Sequence, residues 1–196
     1  KKDSQGLCFI GKVKLPVFLQ EQLKPNSGKI IEIDSQHHCF HYANEELDTL
    51  CNSYHLESSF GKVIGKHQGA QFYTIGQRKG LGIGGAKLPL FIIDKDSTQN
   101  IIYVGKGGEH PGLKRKGLWI ANEEIHWIRD DLELAMGEDK DYLLRIRYRQ
   151  ELSKAKLSRR VSGLYIIFEE WMHSIASGQF AAWYDGDELI GSGVIH

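Results

Sequence analysis

Hydrophobic and polar positions along the chain change over in short runs, and only one stretch keeps helical spacing. Leu15, Phe18, Leu19 and Leu23 fall at i, i+3, i+4 and i+8, which lines one face of a short helix. Pro16 suits its first turn, where the missing N–H is not needed. Lys24-Pro-Asn-Ser-Gly28 then stops it. Beyond Gly28 the chain reads mostly as strands, each a brief β-branched or aromatic run: 29–33, 61–65, 90–94, 101–104, 142–149 and 164–168. The polar clusters at 96–100 and Asp185-Gly186 predict hairpin turns. No internal repeat and no strand–helix–strand alternation is present. The pattern predicts a mainly β, mainly antiparallel protein in two small units, with the boundary in the loop-like run 105–112. Residues 34–59 break the pattern. They mix His, Cys, Asn and acids, include a short helical candidate at 44–51, and read as an insertion between two strands.

Composition narrows the function classes. Lys+Arg and Asp+Glu are both 25, so a wholly basic nucleic-acid binder is excluded while a locally basic one is not. No apolar run approaches the ~20 residues that span a bilayer, and no signal peptide opens the chain, which predicts a cytoplasmic protein without membrane partners. The first residue is Lys1 rather than Met, as in an internal segment of a longer protein. Three cysteines, Cys8, Cys39 and Cys51, are an odd count that argues for reduced thiols.

Four motifs can carry chemistry. Cys8 lies among Lys1, Lys2, Lys12 and Lys14, which favour a reactive thiolate. A buried, inert cysteine is the plainer reading of this stretch alone. Tyr73-Thr-Ile-Gly-Gln-Arg-Lys-Gly-Leu-Gly-Ile-Gly-Gly85 offers Gln77, Arg78 and Lys79 on a glycine-rich backbone. It lacks the Gly-Lys-Ser/Thr ending of a phosphate loop and the helix of a dinucleotide fingerprint, and a sheet-shaping hairpin is its plainer reading. In Arg145-Ile-Arg-Tyr-Arg-Gln150, strand alternation sets Arg145, Arg147 and Arg149 on one face, a stripe suited to phosphates or simply a solvated edge. His37, His38, Cys39, His41, Cys51 and His55 include metal-ligand types but no paired spacing, so no metal site is expected.

Taken in order, these stretches resemble one family. Asp3-Ser-Gln-Gly-Leu-Cys-Phe-Ile-Gly11, the glycine-rich motif, Arg147-Tyr-Arg-Gln150, Gly178-Gln-Phe-Ala-Ala-Trp-Tyr-Asp-Gly186 and Gly191-Ser-Gly-Val-Ile195 are similar to the tRNA-specific 2-thiouridylases, over nearly the whole chain. The resemblance implies a C-terminal β-barrel similar to a translation-factor barrel at 109–196. It also implies a small central β domain at 27–108, and at 1–26 the tail of an ATP-pyrophosphatase domain with its linker helix. It further implies a transferase: ATP adenylates C2 of the wobble uridine, and a persulfide sulfur carried on Cys8 replaces the oxygen. Arg147, Tyr148 and Gln179 are the tRNA contacts it implies; Arg149 of the stripe joins them as an expected contact, with Gln77, Arg78 and Lys79 of the glycine-rich motif behind them. The implied partners are the anticodon region of tRNA and a sulfur donor, either a cysteine desulfurase or a relay protein.

Departures from the family pattern limit what the chain does by itself. The Ser-Gly-Gly-Val-Asp-Ser phosphate motif, the first catalytic cysteine and the aspartate beside the target base are missing. ATP and Mg therefore belong to a domain outside this sequence, no cofactor is expected within it, and the isolated chain is expected to be inactive. The 34–59 stretch is longer than usual, and Ser177 stands where the family has Pro. The competing reading is a stand-alone RNA-binding or adaptor β module without catalysis.

Overall fold

The computed structural model describes residues 24–85, 88–147 and 150–196, and the chain forms two compact units. The helix expected from Leu15 to Leu23 lies outside the described residues.

The first unit comprises residues up to Asp34 and Glu57–Gly107. Its strands are β1 (Gly28–Ile33), β2 (Gly61–His67), β3 (Leu90–Asp96) and β4 (Ile101–Lys106), in the order β2-β1-β4-β3. β1 and β2 pair antiparallel, as do β3 and β4. β1 and β4 run parallel, a departure from the antiparallel expectation. Both are the apolar strands of the set, so each gains by lying inside the sheet, and the more polar β2 and β3 take the edges. The 96–100 turn forms as predicted: the Asp96 carboxylate accepts the N–H groups of Thr98 and Gln99, and Asn100 adopts φ +55°. Ile30, Ile92, Ile102 and Val104 build the core, and Leu81 from the glycine-rich stretch packs into it with Ile83 at its margin. Gly65 makes room, since a Cβ there would stand 3.3 Å from Ile83.

The second unit comprises Ser35–Leu56 and Gly108–His196. Seven strands, β5 (Lys114–Ile120), β6 (Ile125–Trp127), β7 (Asp139–Arg145), β8 (Ser153–Arg160), β9 (Gly163–His173), β10 (Phe180–Asp185) and β11 (Glu188–Val194), pair antiparallel in the order β5-β9-β8-β7-β10-β11-β6. The two edge strands are consecutive in the chain, so the sheet must curl to bring them together. The His196 N–H donates to the Trp119 carbonyl at 3.0 Å, and Gly193 lies so close to Ile120 that a Cβ would clash at 2.7 Å. This is the expected barrel. Its interior is filled by Leu118, Ile120, Leu144, Leu157, Phe168 and Trp183, supplied by alternating positions.

The predicted strand 142–149 is shorter than the sequence suggested. β7 ends at Arg145, and the Ile146 N–H bonds the Gln150 side chain rather than a neighbouring strand. The arginine stripe is therefore not a continuous strand face.

Ser35–Leu56 connects two paired strands of the first unit but packs against the second. Its helix α1 (Leu47–Cys51) lies on β5 and β9. Cys51 is fully buried there. Arg115, itself only 6% exposed, donates from Nη2 to the Cys51 carbonyl, and the Tyr165 hydroxyl donates to Asp48. Tyr54 Oη donates to the Lys114 carbonyl at 3.0 Å, and the Lys116 N–H donates to Tyr42 Oη at 3.3 Å. The sequence division, with 27–108 as one unit, places this segment with the central strands; its contacts place it with the barrel.

Candidate nucleic-acid interface

At the end of β7 the chain turns sharply, and the Gln150 N–H closes the turn on the Arg147 carbonyl at 3.1 Å. Gln150 also reaches inward, with Nε2 2.8 Å from the Met172 sulfur of β9. Arg147 points out of this turn and is exposed. One guanidinium nitrogen donates to the Ser174 carbonyl at 3.0 Å, which leaves most of its five donors facing outward. Ser174 adopts φ +55°, and its own N–H donates to the Leu113 carbonyl at 2.8 Å. The β9–β10 loop is thereby fixed at its start.

The same loop ends at Gln179. Gly178 at φ +81° lets the chain reverse there, and the Ile195 N–H donates to the Gln179 carbonyl at 2.8 Å. Ser177, in place of the expected Pro, is exposed in this loop. The Gln179 Oε1 is buried and has no hydrogen-bond partner among the described residues. A buried acceptor left open is costly unless something else supplies a donor. Arg147 is thus anchored at the start of the β9–β10 loop, and Gln179 lies at its end. Tyr148 and Arg149 lie outside the described residues. Arg145 is turned elsewhere: its guanidinium carbon sits 4.8 Å from the centre of the Tyr184 ring.

The other basic residues of the barrel divide by their partners. Arg160 pairs with Asp139 at 2.7 Å, and Arg159 Nη1 donates to Asn122 Oδ1 at 2.5 Å. Lys154 and Lys156 project outward from β8 while Ala155 and Leu157 point into the core.

In the glycine-rich loop of the first unit, Gln77 is occupied by the loop itself. Its Oε1 accepts the Thr74 N–H at 3.1 Å and its Nε2 donates to the Lys79 carbonyl at 2.7 Å. The backbone on either side is tied to β3, with Gly76 N–H to the Ile92 carbonyl and Ile92 N–H to the Gln77 carbonyl. Gln77 is a brace, and Arg78 and Lys79 are the exposed cations it holds out. Arg78 lines an open polar recess with Gly80–Gly85 and Leu88–Leu90.

Cys8 lies outside the described residues. The other two thiols are poor nucleophiles. Burial pushes Cys51 up to about 12 and also raises Cys39, so both stay protonated near neutral pH. The histidines near them serve the backbone: His37 accepts the Cys39 N–H at 3.3 Å, and His110 accepts the Gly112 N–H at 3.1 Å. Among the described residues no three side chains of His, Cys, Asp and Glu converge as a metal site. No helix among them is long and apolar enough to cross a membrane.

Two family models match the chain. Residues 52–106 match a tRNA methyl transferase PRC-barrel domain, and residues 119–195 match an aminomethyltransferase beta-barrel domain. The chain is 48% identical, over its whole length, to the tRNA-specific 2-thiouridylase MnmA of Christiangramia forsetii, and equally to that of Flavobacterium johnsoniae. Against the protein of the same name from Karelsulcia muelleri the identity is 47%. The chain therefore matches the central and C-terminal half of tRNA-specific 2-thiouridylases. The chain spans about half the length of these relatives: 51%, 51% and 50%. It is thus the central and C-terminal portion of the thiouridylase pattern, with residues 35–51 outside both matched domains. Arg147, Ser174 and Gln179 fall within the matched beta-barrel, and the glycine-rich loop falls within the matched PRC-barrel.

Proposed function

We propose that the chain is the tRNA-gripping and sulfur-carrying part of a tRNA uridine 2-sulfurtransferase. The observation that carries this reading is the outward guanidinium of Arg147, anchored on the Ser174 carbonyl at the start of the loop that ends at Gln179. Guanidinium groups bind phosphate oxygens with directed, charge-assisted hydrogen bonds. The Gln179 amide at the end of the loop adds a group that can read a ribose or a base edge. Arg149 and Tyr148 extend the grip, and Arg78 and Lys79 add weaker contacts from the glycine-rich loop. Gln77 acts through them by bracing that loop.

Cys8 carries the sulfur as a persulfide. Of the three cysteines it is the one flanked by lysines, whereas burial keeps Cys39 and Cys51 protonated. In the whole protein the wobble uridine is activated at C2 by adenylation with ATP and Mg, held by a domain outside this sequence, and the persulfide sulfur replaces the departing oxygen. The glycine-rich loop does not fit that role, because it opens no helix and carries no Gly-Lys-Ser/Thr ending. The sulfur arrives from a cysteine desulfurase or relay protein, the tRNA presents its anticodon region, and the setting is the cytoplasm.

A salt titration of tRNA binding tests the grip, with the wild type beside an Arg147→Ala, Arg149→Ala double variant. Each lost phosphate contact should flatten the log–log salt slope by roughly 0.7–0.9. Binding that is absent at low salt, or a double variant with the wild-type slope, overturns the assignment.

A further inference from the structure

Across β5 and β9 the register jumps. Arg115 faces Met172 and Gly117 faces Ile167, so the single residue Lys116 lies opposite four, Phe168 to Trp171. The surplus chain bulges outward and leaves Glu169, Glu170 and Trp171 all exposed. An indole held out of the core on the open face of a barrel needs a reason, and Trp171 is 46% exposed.

One ring face of Trp171 is covered. Tyr42 stacks on it with ring centres 5.6 Å apart and planes 15° apart, and Tyr54 stacks on Tyr42 at 5.6 Å and 23°. Phe40 closes the far end edge-on against Tyr54 at 5.3 Å and 86°. The Tyr54 and Tyr42 hydroxyls are bonded to the backbone of Lys114 and Lys116, so the stack is fixed to the barrel. These tyrosines come from the Ser35–Leu56 segment, and that segment's placement on the barrel thereby acquires a purpose.

We propose that the open face of Trp171 is a stacking platform for an unpaired nucleobase of RNA, with Tyr42 and Tyr54 as its backing. The proposal rests on the tRNA reading above. Offset parallel rings at this separation are the arrangement in which a further ring, such as a base, extends the column. The site is continuous with the grip: Met172 holds Gln150 and Ser174 holds Arg147, so the platform stands three residues, about 10 Å of extended strand, from Arg147's anchor. A protein partner is less suited. The exposed charges Glu169 and Glu170 precede Trp171 in the bulge, Lys116 Nζ donates to the Glu169 carbonyl at 2.7 Å, and Lys154 lies 3.7 Å from the Glu169 carboxylate. An indole carries no charge, so the platform contributes stacking and no counterion release.

The salt slope separates the two roles. Trp171→Ala should weaken tRNA binding about 5- to 100-fold while leaving the salt slope unchanged, and Trp171→Phe, which keeps an aromatic face, should bind nearly as the wild type does. Tryptophan fluorescence should be quenched on tRNA binding in the wild type and not in Trp171→Phe. If Trp171→Ala binds like the wild type while Arg147→Ala binds weakly with a flatter slope, the platform is wrong and the grip stands. If the wild type shows no salt-dependent tRNA binding, both fall. If Trp171→Ala alters self-association in sedimentation and leaves RNA binding intact, the ring is a protein contact and the proposal is overturned.

Discussion

Gly117 is the residue on which the attachment of the Ser35–Leu56 segment turns. It lies in β5 beneath Cys51, and a Cβ there would stand 2.8 Å from the Cys51 sulfur, the Ile166 carbonyl oxygen and the Ile167 side chain. The side chains can move to some extent; the carbonyl belongs to the β9 backbone and is held by the sheet. Gly117→Ala is therefore expected to destabilise the barrel by about 1–3 kcal/mol, as overpacking a filled site does. Cys51→Ala in the same chain should restore only part of this, because the backbone contact remains. Urea denaturation of the two variants checks it, and full rescue by Cys51→Ala would show that the carbonyl yields. The same packing explains why Cys51 is inert: its thiol is a plug over a glycine, shut off from water and held protonated.

His67 works between elements, at the end of β2. Nδ1 accepts the Gly69 N–H at 2.9 Å, so Nε2 carries the hydrogen and donates to the Asn100 carbonyl at 3.2 Å. It thus ties β2 to the β3–β4 hairpin, and burial, with 4% exposure, lowers its pKa. A base whose folded pKa is depressed takes up its proton more readily unfolded. Its contribution is complete above the unfolded value of about 6.5 and is lost as pH falls toward the folded one. Thermal unfolding should show a greater loss of stability between about pH 7.5 and 5.5 in the wild type than in His67→Gln, and equal losses would rule His67 out. Elements of this kind differ in how clearly the sequence announces them. β1, β3, β4 and β9 are apolar runs and were legible, as were both predicted hairpin turns. β8 was not, because Ser153-Lys-Ala-Lys-Leu-Ser-Arg-Arg160 hides an inward Ala155 and Leu157 among outward charges. The arginine stripe was over-read, since nothing local signals that the Gln150 side chain takes the Ile146 N–H and ends β7. Arg147 was named from strand alternation as well as from resemblance to a family, and Gln179 from resemblance alone; the loop that links Arg147's anchor to Gln179 depends on the Ser174 and Gly178 turns, which no spacing rule predicts. Nor does spacing announce the aromatic stack, for Tyr42 and Trp171 are joined only by the fold.

At the scale of the whole molecule, the proposed function separates holding an RNA from activating it. The proposed grip, the proposed platform and the candidate sulfur carrier are all within the chain's 196 residues, while the phosphate motif that adenylation requires is not. Equal numbers of acidic and basic residues make its general attraction to RNA weak, so what affinity it has must come from placed groups such as Arg147 and from stacking. The purified chain is therefore expected to bind tRNA modestly and with a clear salt dependence, yet to release no pyrophosphate from ATP with or without tRNA. A coupled pyrophosphate assay beside a filter-binding titration checks both halves in one preparation. Pyrophosphate release above background would mean that this chain holds an ATP site that its sequence does not reveal. Binding without turnover is what a portion specialised in gripping should show, and it would place the cost of activation wholly on residues outside this sequence.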